Sequence, residues 1–419
     1  MQLLKSQLQK NIAKLFTATF ISQGISVLSS LLLAYFFIPD EIGVFSAVIA
    51  FSAIFSIIFS LRSEYPIVLS TGKENNYISY SLSISIISFL VIFFISFFLI
   101  SSFSEFENLI GLSKSLFLLS LFIALKLTVV KIFQSSVISK SRFDILSLSK
   151  VINVSAIILF QLLFFFIEID NSLVLGFSCG VLINLAYLTS YSIKEIRLSL
   201  NIGFFKKIKE YIKTYRKIFS FGTTADFFNS ASSNIIPILL LSTFGKEIAG
   251  FYFFANRVLS VPLQLISSST STVFFQKGSE LVENKKFSNL KKLTLKFQFW
   301  NGLVMFIILI FVILFLDDLL NFFFDEKWNK SLTFIYILIP FFFVRSLFSP
   351  ISNLMEILNK NDYGLILNIS ILLMNLIAIN VGFFYEDILI SIYIISISGL
   401  IGYLIINVSF MKLIYNKAK

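Results

Sequence analysis

Long apolar stretches follow one another along almost the whole chain, separated by short polar segments. A helix needs about 20 apolar residues to cross a bilayer, and each stretch is about that long. The pattern therefore predicts twelve membrane-spanning helices, with bounds at 15–38, 42–61, 78–102, 114–139, 150–168, 173–193, 218–243, 248–275, 297–316, 332–355, 364–385 and 388–411.

The composition agrees with a membrane protein. Hydrophobic residues make up 57% of the 419 residues and charged residues only 14%, whereas soluble domains carry about 25% charged residues. The first apolar stretch follows Lys5, Lys10 and Lys14 but has no small-residue cleavage site, so we expect it to remain as the first helix. These features predict an all-α polytopic membrane protein.

Basic residues lie mainly on one side of the predicted membrane. If the amino terminus is cytoplasmic, the inside segments hold 26 Lys and Arg, the outside segments four and the spans four. This bias predicts that both termini are cytoplasmic. The densest basic segment, 194–217, holds eight Lys and Arg. We interpret it as a cytoplasmic connector between an amino-terminal bundle at 1–193 and a carboxy-terminal bundle at 218–419.

A short internal repeat indicates how the two bundles are related. The turn after the first span, Glu41-Ile-Gly-Val-Phe45, resembles the turn after the seventh span, Glu247-Ile-Ala-Gly-Phe251, at a shift of 206 residues. Because each half holds six predicted spans, the repeat is parallel. We therefore expect two six-helix bundles related by an axis along the membrane normal, around a central cavity.

Polar residues recur every three or four positions in spans 1, 2, 7 and 8, which places them on one face of each helix. Such faces either form hydrogen bonds between helices in a dry bundle or line a water-filled cavity. Asp226 and two Asn on the seventh span favour the cavity. The stripe of span 2 is Ser52, Ser56 and Ser60, and the cavity-lining residues that we predict are Thr19, Gln23, Ser26, Asn229, Ser233, Asn256 and Gln264.

Five charged residues lie deep within the predicted spans, namely Lys126, Lys131, Asp226, Arg257 and Arg345. Each central charge costs about 2.5–3.5 kcal/mol on insertion scales, so we expect these groups to face water or a ligand. Four of the five are cationic, which suits an anion. Lys131 is near enough to the cytoplasmic end to snorkel instead. Asp226 is either a structural partner of a cation or an ion-coupling carboxylate.

Three segments carry a family resemblance: Lys14-Leu-Phe-Thr-Ala-Thr-Phe-Ile-Ser-Gln-Gly24, Ile38-Pro-Asp-Glu-Ile-Gly-Val-Phe45 and Ser60-Leu-Arg-Ser-Glu-Tyr-Pro-Ile-Val-Leu69. Together they resemble the amino-terminal signature of bacterial polysaccharide (O-antigen and capsule) flippases of the Wzx type, in the multidrug/oligosaccharidyl-lipid/polysaccharide (MOP) exporter superfamily. Tyr252-x-x-Ala255-x-Arg257-x-x-x-x-Pro262 is similar to the second-half element. Ser63 departs from this pattern, which leads us to expect a tyrosine at this position. The departure bears on the pairing of Arg62 with Glu64, for which an ordinary surface ion pair is the alternative.

The resemblance implies two bundles that open alternately to the cytoplasm and the periplasm while moving an undecaprenyl-pyrophosphate-linked oligosaccharide outward. The polar faces would bind the sugars, and the polyprenyl tail would stay in lipid. No Walker motif occurs, which argues against ATP as the energy source. The resemblance implies proton or sodium antiport instead, and we expect Asp226 and Glu64 to couple the ion. The cations expected to bind the pyrophosphate are Lys126, Lys131, Arg257, Arg345 and Arg62.

The remaining expectations concern partners and alternatives. We expect a protein of the bacterial inner membrane whose partners are the lipid-linked oligosaccharide, membrane lipid and the polymerase and chain-length regulator of the pathway. We expect no nucleic acid, cofactor, metal site or catalytic residue. A membrane polymerase or ligase of surface polysaccharide is disfavoured because the chain has no His and its longest outside loop is 317–331. A drug or other lipid exporter of the same superfamily is the second alternative, and a cationic drug would favour an anionic cavity.

The single cysteine, Cys179, lies in the segment Gly176-Phe-Ser-Cys-Gly180. One cysteine forms neither an internal disulfide nor a thiolate metal cluster. We therefore expect Cys179 to be a small buried residue and the two glycines to form a helix-packing face.

Overall fold

The computed structural model of the chain describes residues 2–70, 76–103, 105–193 and 202–418, and these ranges contain helices and no strands. The helices are α1 (Gln2–Phe36), α2 (Pro39–Ser60), α3 (Tyr65–Leu69), α4 (Tyr77–Ser102), α5 (Phe106–Ile110), α6 (Lys114–Ser139), α7 (Phe143–Phe166), α8 (Ser172–Ser192), α9 (Ile202–Thr214), α10 (Thr223–Phe244), α11 (Lys246–Glu283), α12 (Phe287–Phe324), α13 (Asn329–Phe348), α14 (Leu354–Ile357), α15 (Asn361–Phe384) and α16 (Ile388–Ala418).

Within the described ranges, twelve helices are long and apolar enough to cross a membrane. This confirms the all-α class and the predicted number of spans. Several helices extend beyond the predicted spans: α7 begins at Phe143 rather than at 150, and α11 continues to Glu283 rather than ending at 275. The apolar pattern marks only the part of a helix that matches the hydrocarbon layer, whereas the helix continues through polar residues until a breaker ends it.

The chain forms two compact units. Unit 1 comprises Met1–Ser29 and Val44–Asn234, and unit 2 comprises Ser30–Gly43 and Ile235–Lys419. The boundaries between the units fall inside α1, α2 and α10, so these three helices contribute residues to both units. The domain bounds predicted from the basic connector, 1–193 and 218–419, stay a prediction.

Close packing of α7 on α8 is one feature of unit 1. A Cβ atom at Gly176 would overlap the backbone of Gln161, and one at Gly180 would overlap that of Ile157. This confirms the predicted glycine packing face. Cys179, on the same helix, is half-buried rather than fully buried, because it lies at the edge of the packed face, about 60° and 100° around the helix from the two glycines.

The serine stripe of the second span is also a packing face. Ser52, Ser56 and Ser60 are buried. The Ser52 hydroxyl donates to the Ser120 carbonyl at 3.0 Å, and the Thr128 hydroxyl donates to the Ser56 carbonyl at 3.1 Å, so both bonds join α2 to α6. The prediction that this face is wettable is therefore wrong. Serine has the same spacing whether it bonds to water, to a neighbouring helix or to its own preceding turn.

In unit 2 the two turns of the internal repeat lie against each other. A Cβ atom at Gly43 would overlap the carbonyl of Lys246, and one at Gly250 would overlap the carbonyl of Pro39. The backbones of the first turns of α2 and α11 therefore meet directly, with no side chain between them.

A buried tryptophan lies beside this contact. Trp328 has no exposed surface, and its indole Nε1 donates to the carbonyl of Ala34 at 3.0 Å. Its ring stacks on Phe254 at 4.8 Å and meets the edge of Phe251, the neighbour of Gly250, at 6.0 Å. The indole thus links the carboxy-terminal end of α1 to α11.

The described part of the basic connector is a helix docked on unit 1; residues 194–201 of the predicted connector lie outside the described residues. Four side chains spaced three or four positions apart on and just after α9 pack against Tyr77 and Tyr80, at the start of α4. They are Phe204, Ile208, Tyr211 and Tyr215.

Tyr211 fixes the connector to the chain that follows α2. It is buried, and its hydroxyl donates to the Ser63 carbonyl at 2.7 Å, where the Ser81 hydroxyl also donates. Burial raises the pKa of the Tyr211 phenol well above its ordinary value, so the hydroxyl keeps the proton that it donates. After the connector, residues Ile218–Gly222 form a π-helix that leads into α10.

Candidate functional site

Arg62 and Asp226 form an ion pair in unit 1, with 3.2 Å between Nε and Oδ2. Arg62 follows the end of α2, where Leu61 and Arg62 have left-handed backbone angles, φ 45° and 59°. Such angles cost about 1–2 kcal/mol in a residue other than glycine. Asp226 lies in the first turn of α10, directly after the π-helix. The turn after α2 thus holds Arg62 beside the start of α10.

The Arg62 guanidinium lies between an aromatic ring and a glycine. It is 4.7 Å from the centroid of the Tyr65 ring, and any side chain at Gly222 would meet it. Arg62 therefore pairs with Asp226 rather than with Glu64, the alternative partner. Oε2 of Glu64 is instead buried without a hydrogen-bond partner.

Lys131 on α6 completes a group of four charges. Its Nζ donates to the hydroxyl of Ser56 on α2 at 3.0 Å, and it interacts electrostatically with Glu64 and Asp226. The ammonium is thus directed to side chains of unit 1, and the snorkelling alternative stays open. Hereafter the charge cluster means Arg62, Lys131, Glu64 and Asp226. It combines two cations expected to bind the pyrophosphate with both residues expected to couple the ion.

Two further lysines lie within the spans of unit 1. Lys126 on α6 donates to the hydroxyl of Ser178 on α8. Lys150 on α7 donates to the hydroxyl of Thr19 on α1 at 3.0 Å. The sequence-based reasoning missed Lys150, because it placed the start of the span at 150 and counted this lysine among the cytoplasmic residues. The seven residues before it, Phe143 to Ser149, are helical, which puts its amino group inside the helix bundle.

The two deep arginines belong to unit 2. The Arg345 guanidinium on α13 lies 5.7–5.8 Å from the ring centroids of Phe341, Phe342 and Tyr403, and its Nε is buried without a hydrogen-bond partner. Aromatic faces attract cations but satisfy none of the donors of a guanidinium. Arg257 is half-buried on α11. The Nε–H donor of Arg345 thus has no hydrogen-bond acceptor among the described residues of the protein.

The predicted cavity-lining residues differ in exposure. Asn229, Ser233 and Gln264 are exposed on α10 and α11, although they lie within membrane-spanning helices. Thr19, Gln23, Ser26 and Asn256 are half-buried. Contact of an exposed polar side chain with lipid costs free energy, whereas contact with water or sugar hydroxyls does not. That these seven residues line a cavity stays a prediction.

The fold defines the class of the protein. Along nearly its whole length the chain resembles transporters of the MOP superfamily. The inward-facing structure of a multidrug resistance MATE family transporter is 12% identical, with a TM-score of 0.71, and the similarity covers 94% of this chain and 95% of that one. The lipid II flippase MurJ in its inward closed conformation is 19% identical, with a TM-score of 0.68 over 96% of this chain and 90% of that one. The protein is thus a multi-pass membrane protein with the fold of these transporters.

Sequence comparison gives the family. The chain belongs to the polysaccharide biosynthesis protein family, whose family model matches residues 8–275. The capsular polysaccharide biosynthesis protein CapF of Staphylococcus aureus is 26% identical over 330 residues, which make up 77% of this chain and 78% of that protein. The resemblance inferred from the three amino-terminal segments is therefore confirmed.

Proposed function

We propose that the protein is a flippase that moves undecaprenyl-pyrophosphate-linked oligosaccharide units from the cytoplasmic to the periplasmic leaflet by alternating access. The observation that carries this proposal is the set of amino and guanidinium groups held inside the spans of a polysaccharide biosynthesis protein, of which Lys131, bonded to Ser56, is the clearest. A pyrophosphate leaving water needs such cations, since charge-assisted hydrogen bonds replace its hydration.

Each part of the substrate has a counterpart in this proposal. Lys126, Lys131, Arg62, Arg257 and Arg345 bind the pyrophosphate, and Lys150 joins them. The polar faces of α1, α10 and α11 bind sugar hydroxyls, and the polyprenyl tail stays in lipid. The protein acts in the bacterial inner membrane with both termini in the cytoplasm. It receives the substrate there and passes it to the polymerase and chain-length regulator of the pathway, without catalysing a reaction itself.

The charge cluster provides the ion coupling in this proposal. With both acids ionised its net charge is zero, and Asp226 competes with any anion for Arg62. Binding of a proton or a sodium ion at Asp226 leaves the cluster net positive and frees the guanidinium for the pyrophosphate. Release of that ion restores the ion pair and expels the anion. Glu64, whose Oε2 is buried and unbonded, is the second acceptor for the ion.

Complementation with measured sidedness tests the proposed function. A deletion strain should lack surface polysaccharide and accumulate lipid-linked repeat units on the cytoplasmic leaflet, where an externally added glycosidase does not reach them. Expression of the protein should make these units accessible to the glycosidase. Lipid-linked units that are exposed but not polymerised in the deletion strain would instead indicate a polymerase or ligase.

Topology can be checked separately. Reporter fusions at Asn284 should report cytoplasm and fusions at Asn329 should report periplasm. The reverse result at both positions would contradict the orientation.

A drug exporter is the second candidate, because the fold resembles that of a MATE transporter. The cations within the spans argue against cationic drugs as the substrate, since like charges repel in a low-dielectric site. Proteoliposomes that take up a cationic dye but no lipid-linked oligosaccharide would favour this candidate.

A further inference from the structure

The connector carries a second surface besides the one that packs on unit 1. Residues 203–217 include six Lys and Arg and one acid, Glu210, and all of these charged side chains are exposed. Between the packed face and the lysines, Phe205 and Ile212 are exposed by 44% and 37%. These two residues are seven positions apart and therefore lie on one stripe of α9. At about 100° per residue, Lys209 and Lys213 border that stripe.

The contacts of α9 fix its direction relative to the membrane. Phe204 meets Tyr80 at 5.3 Å, and Tyr215 meets Tyr77 at 5.9 Å. Tyr77 and Tyr80 are three positions apart, or about 4.5 Å along α4 at 1.5 Å per residue. Phe204 and Tyr215, which contact them, are eleven positions apart, or about 16 Å along the connector. α9 therefore crosses α4 at a steep angle. Because α4 spans the membrane from Tyr77 to Ser102, α9 runs close to the membrane plane.

The contacts also fix its depth. Tyr77 and Tyr80 are in the first turn of α4, and Phe219, which packs on Tyr211, is at the start of the next membrane-spanning segment, Ile218–Phe244. A helix at this level lies in the headgroup region of the bilayer. A helix that lies there presents apolar side chains to the acyl boundary and lysines to the headgroups.

We propose that α9 is an interfacial helix that binds the anionic phospholipid headgroups of the leaflet beside it, with Phe205 and Ile212 inserted at the acyl boundary and Lys206, Lys209 and Lys213 on the headgroups. Charge complementarity selects this partner, because a basic surface next to a membrane attracts anionic lipids. The proposal depends on the membrane-spanning fold and not on the transported substrate.

Tyr211 links this placement of α9 to the turn that holds Arg62. This residue of the same helix donates to the carbonyl of Ser63, which follows Arg62 directly. When α9 is bound to lipid, it therefore holds the turn after α2, and with it Arg62, close to the surface of the bilayer.

Depth measurements test the placement of α9. In a Cys179→Ser background, the full chain with Phe205→Cys or Glu210→Cys is labelled with an environment-sensitive fluorophore and reconstituted in phosphatidylglycerol vesicles. We expect brominated lipid to quench the label at position 205 and aqueous iodide to quench the label at position 210. Equal quenching of both labels by iodide would overturn the proposal. A stripe that binds a soluble partner rather than lipid would give this result, because the vesicles contain no such partner.

A lipid titration tests the choice of headgroup. In detergent, added phosphatidylglycerol should raise the Tm of the wild-type protein more than added phosphatidylcholine does. The combined Lys206→Gln, Lys209→Gln and Lys213→Gln variant should lose about half or more of that difference. The matched control neutralises three other exposed lysines, Lys286→Gln, Lys292→Gln and Lys296→Gln, and should keep the difference. Equal loss in both variants, or loss in neither, would overturn a specific role of α9.

Discussion

Arg62 and Asp226 are 164 positions apart in the sequence and 3.2 Å apart in the structure, and each is partly exposed, by 29% and 38%. An ion pair that is partly open to water contributes about 0–1 kcal/mol to stability. The pair therefore contributes little to holding unit 1 together. Neutralising the Asp226 carboxylate would release the Arg62 guanidinium. Such a pair suits a group whose charge changes during transport.

The first prediction concerns this carboxylate. Asp226→Asn removes the charge but keeps the size, so we expect normal expression and retained substrate binding together with loss of gradient-dependent transport in proteoliposomes. Asp144→Asn, the same change at an exposed acid in the first turn of α7, should leave transport unchanged. Full transport by Asp226→Asn would remove this residue from the coupling mechanism.

The second prediction concerns Arg345. Arg345→Glu places a carboxylate among three aromatic rings and repels a pyrophosphate, so transport should fall about 100-fold or more, since loss of a buried charge contact costs about 2–5 kcal/mol. Arg345→Lys should be partly active, because a point charge still serves a phosphate although the bidentate fork is lost. The measurement is restoration of surface polysaccharide at matched membrane levels.

The control for Arg345 is Arg142→Glu. Arg142 is also stacked on an aromatic ring, 5.1 Å from the centroid of Tyr191, but it is exposed, and its reversal should be tolerated. Restoration by Arg345→Glu would show that this cation does not bind the substrate. Complete loss in Arg345→Lys would indicate a helix-pairing role instead.

The third prediction concerns Lys150. Lys150→Gln should lower transport about tenfold or more, because a hydrogen bond to a charged group contributes about 1.5–3 kcal/mol, whereas Lys150→Arg should keep much of the activity. Thr19→Val removes the neutral partner of the ammonium and leaves the cation in place, so its effect should be smaller. If Thr19→Val and Lys150→Gln lower transport equally, Lys150 pairs α7 with α1 and does not bind the anion.

The fourth prediction concerns Trp328. Trp328→Ala should lower stability by about 3–5 kcal/mol through the cavity it leaves. Trp328→Phe should cost about 1 kcal/mol for the lost bond to Ala34, with some further loss of volume. Thermal unfolding in detergent measures both changes. Trp300→Phe, at a side chain that is 54% exposed, should change the Tm little, and a larger effect there than at Trp328 would contradict the structure.

The fifth prediction concerns the contact of the two repeat turns. Gly43→Ala and Gly250→Ala each force a methyl group into a carbonyl of the facing turn, so both should lower the Tm and the amount of folded protein. Gly24→Ala is the matched control, because a Cβ at Gly24 has open space around it and alanine favours a helix by up to about 1 kcal/mol. Equal stability of all three variants would show that α2 and α11 are further apart.

Hydrophobic patterning predicted the architecture well, because burial in lipid requires long apolar stretches whatever the helices pack against. Twelve spans were expected and twelve are found in the described residues. The same pattern did not predict the position of Lys150. The length of an apolar stretch reflects the thickness of the hydrocarbon layer and does not mark the residue at which the helix begins. The pattern also failed at Ser52 and Ser56, since a stripe of hydroxyls has the same period towards water and towards a neighbouring helix.

The candidate site was only partly predictable for a different reason. The cost of placing a charge in a membrane picks out Lys126, Lys131, Asp226, Arg257 and Arg345 one by one. It does not say which of them meet. The partner of Arg62 depends on two left-handed residues after α2, and no local signal in a single sequence links that turn to Asp226.

The π-helix between the connector and α10 has a consequence for the direction in which Asp226 points. Residues Ile218–Gly222 wind with a wider turn than an α-helix, so this stretch accommodates one more residue than an α-helical turn would. If the same residues wound as a regular α-helix, the additional residue would turn Asp226 by about 100° relative to the preceding chain. The chain would then keep every charged group and lose their alignment. The ion pair with Arg62 is thus specified by the phase of the helix as well as by the chemistry of its two side chains.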